Sequence, residues 1–444
     1  MPLSQLPPAL SAWLVTLIAA LDRRSAPRLL QLLLGALLAK GRRTVTSWFR
    51  AAGISDDFRR GYSALWAAGR RADALSHRLL CVALKPLMSL AGDGPWRFAL
   101  DDTPTARYGP CVQGAGIHHN PTPGPAGEKY VYGHIWVCLA WLARHPAWDT
   151  LALPLRALLY VRAKDVPALA EHYAWDFRTK LALAVELVRW LTVWLGQAGR
   201  ALWLAVDGAY AKRPFLGPVS ALGVVVFSRL RKDARLLSLP PATRRRGQRG
   251  PLPTYGKERI DLAKRGGQKR GWQRLECVQY GERVVKTVKT FLATWRPAGG
   301  IIRVVIVGED RGWLAYFCTD PTVSAADVLE MMADRGAIEQ TFKDVKEVWG
   351  AGQQQVRNVY ANIGAMAVNL VLYSVVEAWA WRRSEEELAA RPAWDAQERR
   401  PSHADKRRAL QREILREEIR AAVGSRPQWQ EFQHFATRLL DLAA

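Results

Sequence analysis

The sequence predicts a mixed α/β fold with strands in the middle of the chain and helices at both ends. Before residue 95, apolar residues recur at helical spacing, as in Leu10–Leu21 and Leu29–Leu38. From Trp96 onwards, short apolar runs typical of buried strands alternate with helical patterns. After residue 384 the chain is charged and helical again. A chain of 444 residues, 49% of them hydrophobic, can bury a large core.

The net charge points to nucleic acid as a partner. Lys and Arg number 64 against 40 Asp and Glu, which gives a net charge of +24 at pH 7. This excess is larger than a metabolic enzyme needs and is typical of a nucleic-acid-binding protein. A genome rich in arginine codons would raise the count of arginine but would not by itself leave such an imbalance. An anionic membrane surface is the other possible partner, and the sequence shows no basic amphipathic anchor for it.

Cysteine spacing and apolar runs indicate a cytoplasmic protein without a membrane span. The cysteines form no CxxC or Cys/His cluster, and an odd, scattered set is typical of a reducing cytosol. No cleavage-site pattern follows the first apolar helix, so we expect no signal peptide. The most apolar run, Gly364–Trp381, contains Asn369 and Glu377 and therefore predicts a buried core helix.

Residues 1–95 are expected to form a helical DNA-binding domain. A short helix, a glycine break and a basic short helix occur around Gly41–Arg50 and Ala51–Ile54, which suits a helix-turn-helix-like DNA reader. A plain helical hairpin fits the same pattern equally well. The next predicted helix, Phe58–Arg71, carries Tyr62 and Trp66.

Two apolar strands of the central region each end in an aspartate. Trp96–Leu100 is followed by Asp101 and Asp102, and Ala201–Val206 is followed by Asp207. Taken alone, a strand-end aspartate is more often a turn or helix-cap residue. The other elements expected in this region are strands at Gly133–Ala140, Leu151–Val161 and Gly223–Phe227 and a helix at Phe177–Gln197.

A basic segment interrupts this pattern. Arg244–Arg274 contains eleven Lys or Arg residues and two acids, with glycine, glutamine and proline interspersed. We expect a basic loop that is mobile or that nucleic acid orders. Strand-like runs return at Arg283–Phe291, Gly300–Val307 and Trp313–Cys318.

A long helix is predicted from about Ala325 to Glu347. Arg335 and Glu339 lie one turn apart on one face, and Lys346 lies on the same face two turns further on. An isolated pattern of this kind is more often an ordinary salt-bridged helix. The two strand-end aspartates change this interpretation, because three converging carboxylates bind divalent cations through hard oxygen ligands.

Together these motifs resemble a DDE transposase of the bacterial insertion-sequence type. Asp102-Thr103 resembles the D-[ST] signature at the end of the first strand, and Val206-Asp207-Gly208 resembles the second strand-end aspartate. More narrowly, the chain resembles the branch of this family that performs cut-and-paste transposition. Proteins of that branch have a ribonuclease-H-like core with a β insertion before the final glutamate. The resemblance covers roughly residues 95–381 and, more loosely, the helical N-terminal region.

The helix carries the third part of the resemblance. Arg335, Glu339 and Lys346 fall at the spacings of the family's Y-x2-R-x3-E-x6-K signature. Met332 stands where the tyrosine is expected, so the chain lacks at that position a hydroxyl that would contact DNA phosphate.

The resemblance implies a transposase that binds the terminal inverted repeats of its own element, cleaves DNA strands and transfers the freed 3′-hydroxyl to target DNA. Its implied cofactor is Mg²⁺, as two ions for which Mn²⁺ can substitute. Its implied partners are double-stranded DNA at the transposon ends and the target, and a second copy of the chain in a synaptic complex in the bacterial cytoplasm, at the nucleoid. The implied residues are Asp102, Asp207 and Glu339 for catalysis and metal binding, and Arg335, Lys343 and Lys346 for phosphate contacts.

The first carboxylate is chosen between two neighbours. Asp101 and Asp102 point to opposite faces of a strand, because side chains alternate along it. We expect Asp102 to be the ligand, because the family's aspartate is followed directly by Thr or Ser. Asp101 is then a solvated acid at the strand end or a support for the ligand.

Other DNA contacts are expected in the insertion. In the resembling branch a tryptophan placed like Trp313 stacks on a flipped base, although most of the 19 tryptophans of this chain must serve packing. Basic residues of the insertion fit a patch that follows the DNA backbone. They are Arg244, Arg245, Arg246, Lys269 and Arg270.

The expected organisation has five parts. They are a helical DNA-binding domain (1–95), the first part of the catalytic core (96–234), a β-rich basic insertion (235–322), the second part of the core (323–381) and a helical tail (382–444). Two other functions remain open: a DNA-binding protein derived from a transposase but without catalysis, and a metal-dependent nuclease on the same fold.

Overall fold

A computed structural model describes residues 6–56, 58–90, 92–119, 129–243, 250–310, 312–389 and 399–424. Within these ranges the regular elements before residue 95 are all helical. They are α1 (Pro8–Ile18), α2 (Ala26–Leu38), α3 (Val45–Ala51), α4 (Phe58–Arg70), α5 (Ala72–Leu79) and α6 (Lys85–Met88), with a π-helical turn at Leu80–Leu84 between the last two.

Local chemistry explains the turns around the predicted DNA reader. The Thr44 hydroxyl caps α3 by accepting a hydrogen bond from the Ser47 amide at 3.1 Å. After α3 the chain turns through Gly53 at φ +75°, a conformation that glycine adopts without steric cost. Trp48 and Phe49 on α3 are fully buried, so the helix packs firmly against its neighbours.

A mixed sheet of 12 strands forms the centre of the described residues. Its strands are β1 (Trp96–Ala106), β2 (Gly116–His119), β3 (Tyr130–His145), β4 (Asp149–Tyr160), β5 (Leu202–Val206), β6 (Val225–Leu230), β7 (Leu236–Leu237), β8 (Arg259–Ile260), β9 (Gln273–Gln279), β10 (Glu282–Trp295), β11 (Gly300–Glu309) and β12 (Gly312–Cys318). The remaining helices are α7 (Val166–Ala170), α8 (Lys180–Leu195), α9 (Arg213–Ala221), α10 (Leu262–Gly267), α11 (Ala325–Asp334), α12 (Ala337–Glu347), α13 (Val359–Ala380), α14 (Glu385–Leu388) and α15 (His403–Gly424).

The strand order confirms the predicted mixed α/β class and is consistent with a ribonuclease-H-like core. Across the sheet, β4, β3 and β1 are antiparallel neighbours, and β5 and β6 then continue in parallel to β1. The carboxyl ends of β1, β5 and β6 therefore meet at one edge, where ligands bind in open α/β sheets.

The predicted insertion continues this sheet. β12 pairs antiparallel with β6, and β11, β10 and β9 follow as an antiparallel series. The insertion is therefore attached to the core through backbone hydrogen bonds, next to the edge at which the parallel strands end.

The prediction of one irregular basic loop over Arg244–Arg274 is wrong where the segment is described. Residues 250–274 include β8, α10 and the start of β9, while residues 244–249 lie outside the described part. The Asp261 carboxylate caps α10 by accepting from the Lys264 amide at 3.0 Å, and Leu262 is buried beneath it. Helix α10 was not predicted because the many lysines and arginines around it made the whole segment look like a basic loop.

The predicted helix from Ala325 to Glu347 is two helices. α11 and α12 are separated at Arg335 and Gly336, where the amides of Gly336 and Glu339 bond to carbonyls only three residues back. This tighter turn interrupts the α-helical hydrogen bonding between α11 and α12.

Helix α13 is the central core helix. It is long and apolar enough to cross a membrane, but 89% of its most apolar window is buried within the molecule. This agrees with the core helix predicted at Gly364–Trp381. α15 packs against α13 and α2, so the described part of the tail connects the two ends of the chain to the core.

Candidate active site

Two aspartates lie side by side at the sheet edge because of strand register. β1 and β5 are parallel, with Leu100 opposite Val206. The next residues therefore lie at the same level and on the same face: Asp101 within β1, which continues to Ala106 beyond the strand end predicted at Leu100, and Asp207 directly after β5. The first aspartate is 16% exposed in its side chain and the second 50%.

Arg335 joins these aspartates to the glutamate of α12. Its Nη2 lies 2.8 Å from Asp101 Oδ2 and 3.6 Å from Asp207 Oδ1, and its Nη1 lies 3.3 Å from Glu339 Oε1. The arginine side chain is only 14% exposed, whereas that of Glu339 is 67% exposed. Three carboxylates from two strands and one helix therefore surround one guanidinium and remain partly open to solvent.

Asp102 points away from this cluster. Its Oδ2 accepts a hydrogen bond from Lys180 Nζ at 2.6 Å, and its Oδ1 accepts one from Tyr210 Oη at 3.1 Å. Lys180 is the first residue of α8, whereas Arg335 precedes α12, so the two helices flank opposite faces of β1. The alternation predicted from the sequence is present, and it places Asp101 with Asp207 and Glu339.

The electrostatic surroundings of the two neighbours differ accordingly. Burial raises the pKa of Asp101 from 3.8 to about 6, although the charge of Arg335 opposes the rise. Burial also raises the pKa of Tyr210, and the charges of Asp102 and Asp101 raise it further. The phenol therefore stays protonated and donates to Asp102.

Asp334 fixes the position of Arg335, and with it the three carboxylates around that guanidinium. Its Oδ2 accepts hydrogen bonds from Arg97 on β1 at 2.9 Å and from Arg144 on β3 at 3.1 Å, and its Oδ1 accepts one from Thr150 on β4 at 2.7 Å. The carboxylate is 5% exposed. Because it precedes Arg335 directly, these bonds attach the turn between α11 and α12 to three strands of the sheet.

The other cations of α12 differ in exposure. Lys343 is exposed and lies one turn beyond Glu339. Lys346 is half-buried, and burial lowers its pKa. Thr341 fixes the helix to the core by donating a hydrogen bond to the Ala152 carbonyl at 2.7 Å. Lys343 is thus the better exposed of the two lysines predicted to contact phosphate.

The donor set suits a hard divalent cation in its chemistry. Carboxylate oxygens are the ligands that Mg²⁺ prefers, and Asp207 and Glu339 have oxygens open to solvent. In the described part of the chain, however, no group of three or more His, Cys, Asp or Glu side chains lies close enough together to hold a metal ion. The guanidinium of Arg335 lies between the carboxylates and supplies the positive charge itself.

The other predicted DNA contacts lie in the insertion. Trp313 is half-buried at the start of β12; its ring packs against Gly266 of α10, and Lys232 Nζ lies 5.1 Å from the ring centroid. Lys269 and Arg270 are exposed between α10 and β9. The predicted contacts Arg244, Arg245 and Arg246 lie outside the described residues. Met332, at the position of the expected tyrosine, packs against the core.

Sequence reasoning did not identify Lys180, Tyr210 or Asp334 as parts of the site. Lys180 begins an ordinary amphipathic helix, and no local pattern indicates that it reaches Asp102. Tyr210 lies three residues after Asp207 in a short 3₁₀ turn, so its proximity to a strand end was a usable signal. Only the pairing of distant strands brings these groups together.

A comparison with protein families finds a match over much of the chain. The model of a family described as "DDE superfamily endonuclease" matches residues 16–296, which is more than half of the chain. This range contains both strand-end aspartates and stops before α11 and α12. No curated protein matches the chain.

Proposed function

Since the chain belongs to the DDE superfamily endonuclease family, we propose that it is a DNA transposase. It would bind the terminal inverted repeats of its own element, cleave the DNA strands there and transfer the freed 3′-hydroxyl to target DNA. The observation that carries this proposal is the convergence of Asp101, Asp207 and Glu339 on one guanidinium at the open edge of the sheet.

The proposed cofactor is Mg²⁺, as two ions, with Mn²⁺ as a substitute; the family generally uses divalent metal ions. Asp207, Glu339 and the first aspartate would hold it. When bound, it would activate water or a 3′-hydroxyl and stabilise the leaving oxygen of the phosphodiester.

The first aspartate is the point at which geometry and motif disagree. The Asp-Thr motif favours Asp102, whereas Asp101 is the neighbour that lies with Asp207 and Glu339. We propose that Asp101 is the ligand, because Lys180 and Tyr210 already occupy both oxygens of Asp102. Asp102 then positions β1 relative to α8.

Arg335 would have two partners in turn. In the free protein it offsets the repulsion among the three carboxylates. When a bound cation offsets that repulsion instead, the planar guanidinium of Arg335 becomes available to donate to two oxygens of a phosphate. Lys343 and Lys346 would hold phosphates along the same helix.

The remaining parts of the proposal concern DNA and assembly. The partner is double-stranded DNA, and the excess of 24 positive charges supports this. Residues 1–95 would read the inverted repeat, and Trp313 would stack on a flipped base during cleavage. Two copies would join the two ends of the element in a synaptic complex, in the bacterial cytoplasm at the nucleoid.

The test is DNA cleavage and strand transfer on short duplexes that carry the inverted repeats flanking the coding region. We expect Mg²⁺-dependent nicking by the wild-type protein and loss of nicking in Asp207→Asn and Glu339→Gln. Pre-cleaved ends should yield strand-transfer products. Nicking without such products would favour a nuclease, and binding without nicking would favour a non-catalytic DNA-binding protein.

Separate substitution of the two neighbours decides the first ligand. We expect Asp101→Asn to abolish nicking, and Asp102→Asn to retain part of it with a lowered melting temperature. Loss of nicking in Asp102→Asn alone, with Asp101→Asn active, would restore the choice made from the Asp-Thr motif.

A further inference from the structure

Helix α4 presents an exposed stripe of aromatic and basic side chains. Arg59, Tyr62, Trp66 and Arg70 recur at intervals of three or four residues and therefore lie on one face of the helix, and Ser63 is four residues beyond Arg59 on the same face. All five are exposed. Tyr62 is 37% exposed and Trp66 is 40% exposed, which is unusual for large aromatic rings on a helix that also has a buried face.

The stripe from Arg59 to Trp66 forms one wall of a groove with a volume of about 830 Å³. The opposite wall is the chain that follows α12, at Gln355–Asn358, together with Ala361 at the start of α13. Asp22 and Ser25, in the turn between α1 and α2, line the rest of the groove. Its volume is in the range of sites that enclose small organic groups such as a nucleobase with its sugar.

The aromatic rings are held in place from behind. Tyr62 meets Phe49 edge to face, with ring centroids 5.2 Å apart, and Trp66 meets Tyr360 in the same way at 6.1 Å. The Arg70 guanidinium lies 4.7 Å from the Tyr360 ring and 5.8 Å from the Trp66 ring. Rings fixed in this way offer a stacking surface that loses little conformational freedom when a ligand binds.

The charge of the groove favours a polyanion. Arg59 and Arg357 are exposed at its two walls, and within the described residues neither forms an ion pair with a carboxylate. The carboxylate of Asp22 accepts hydrogen bonds from the amides of Arg24 and Ser25, at 2.9 Å and 3.1 Å. Asp22 therefore stabilises the turn between α1 and α2. The guanidinium groups of Arg59 and Arg357 are available for phosphates.

The groove is connected to the candidate active site by a short stretch of chain. Gly352 packs so closely against the end of β1 that an added Cβ would lie 3.0 Å from the Ala106 carbonyl oxygen. Ala106 lies five residues beyond Asp101 on the same strand, and Gln355 is three residues beyond Gly352. At about 3.3 Å per residue, the groove lies on the order of 20–30 Å from the carboxylates along this route.

We propose that this groove binds single-stranded DNA, with unpaired bases stacked on Trp66 and Tyr62 and phosphates held by Arg59 and Arg357. The inference rests on the proposed function in that it takes DNA as the substrate. Stacking on exposed rings beside arginines is how proteins bind single strands without reading their sequence. In a duplex the faces of the bases are covered by their neighbours, so stacking on these rings requires unpaired bases.

The test is fluorescence anisotropy with the full-length protein in EDTA, so that no cleavage occurs. The probes are a 20-nucleotide oligothymidylate and a 20-base-pair duplex, each labelled with fluorescein. We expect Trp66→Ala to weaken binding of the single strand about tenfold, well beyond any loss of duplex binding. Arg59→Gln and Arg357→Gln should weaken single-strand binding and reduce its dependence on salt concentration.

Trp194→Ala is the matched control. Trp194 is 38% exposed, nearly as much as Trp66, but lies on α8 and stacks on His77. We expect this variant to bind both probes like the wild type. Thermal melting checks that each variant is folded, and the arginine variants keep the test valid if Trp66→Ala does not fold.

Photocrosslinking identifies the contact directly. A single strand with 5-iododeoxyuridine should crosslink to a peptide that contains Tyr62 or Trp66. Equal loss of duplex and single-strand binding in Trp66→Ala, or crosslinks only elsewhere, would overturn the groove assignment. If the wild type binds neither probe, the proposed function fails as well. If the wild type binds the duplex and cleaves DNA in a separate reaction with Mg²⁺, while Trp66→Ala binds the single strand like the wild type, only the groove assignment fails.

Discussion

Arg335 donates a hydrogen bond of 2.8 Å to Asp101, although 234 residues separate the two along the chain. The same guanidinium lies within 3.6 Å of Asp207 and within 3.3 Å of Glu339. One arginine therefore keeps three carboxylates at a single edge of the sheet, where their mutual repulsion would otherwise separate them.

Replacing Arg335 tests this arrangement. We expect Arg335→Ala to slow DNA nicking at least about 100-fold, because the carboxylates lose their counter-charge and the substrate loses a phosphate contact. Arg335→Lys should restore only part of the rate, because an ammonium group has no planar fork. The control is Arg231→Ala, whose guanidinium pairs with Asp233 and is 81% exposed. Wild-type nicking by Arg335→Ala would contradict the role.

The second prediction concerns Asp334. Asp334→Asn should lower the free energy of unfolding by about 2–4 kcal/mol, because it leaves Arg97 and Arg144 without their shared buried carboxylate. Urea denaturation measures this change. Asp233→Asn is the control, because it breaks an ion pair with Arg231 in which the Asp233 side chain is 70% exposed. It should change the free energy of unfolding by less than about 0.5 kcal/mol.

We also expect nicking to slow in Asp334→Asn, since the turn that carries Arg335 loses its attachment to β1, β3 and β4. A variant that is destabilised but nicks at the wild-type rate would show that the network serves stability alone.

The third prediction is a pH dependence of stability from a buried ion pair. Glu377 accepts hydrogen bonds from His403 Nδ1 and Lys406 Nζ, both at 2.6 Å. Burial would raise the pKa of this carboxyl, but the charge of Lys406 and the contacts with His403 outweigh it and lower the pKa from 4.5 to about 2. The folded state therefore binds this proton less readily than the unfolded state does.

The stabilisation from Glu377 is thus fully present above about pH 4.5 and is lost as the pH falls towards 2. At pH 6 we expect Glu377→Gln to lower the free energy of unfolding by about 3–5 kcal/mol, because it leaves Lys406 buried without its partner. The difference between wild type and variant should shrink between pH 4.5 and pH 2 in urea denaturation. Glu413→Gln, at a pair that is about 30% exposed, should cost less than about 1 kcal/mol. A difference that does not change with pH would contradict the assignment.

The fourth prediction concerns the attachment of the tail. Arg407 on α15 donates hydrogen bonds to the carbonyls of Leu37 and Ala39 at the end of α2, at 2.9 Å and 2.6 Å, and to that of Val348 after α12 at 3.0 Å. Its burial lowers the pKa of the guanidinium to about 9. The side chain thus completes hydrogen bonds that the helix ends cannot make themselves.

Arg407→Met should lower the free energy of unfolding by about 2–4 kcal/mol, because buried carbonyls lose their donors. Hydrogen exchange should increase at the end of α2 and after α12. The neighbouring variant Arg408→Met is the control, since that side chain is 58% exposed, and it should have an effect below about 0.5 kcal/mol. Equal effects of the two substitutions would contradict a specific role of Arg407.

Much of the architecture was predictable from local patterns. The strand that ends before Asp207, the helical segment that carries Glu339 and the buried helix α13 occur where apolar periodicity predicted them, whereas β1 continues to Ala106, beyond the strand end predicted before Asp101. These elements form because their apolar side chains can be buried together, and the spacing of apolar residues along the sequence indicates which side chains those are. The break before α12 was missed because Gly336 is tolerated inside helices, and only the hydrogen bonds around it mark a turn.

The sequence by itself determined the mixed α/β class, the presence of acids directly after two apolar runs and on one helix, and the excess of positive charge. Only the tertiary structure decided which of Asp101 and Asp102 lies with Asp207 and Glu339. Successive side chains of a strand point to opposite faces of the sheet. The local sequence does not indicate which face is covered by α12 and which by α8. The packing of α12 on the same face as Asp101 made that choice, and it placed Arg335 at the centre of the site.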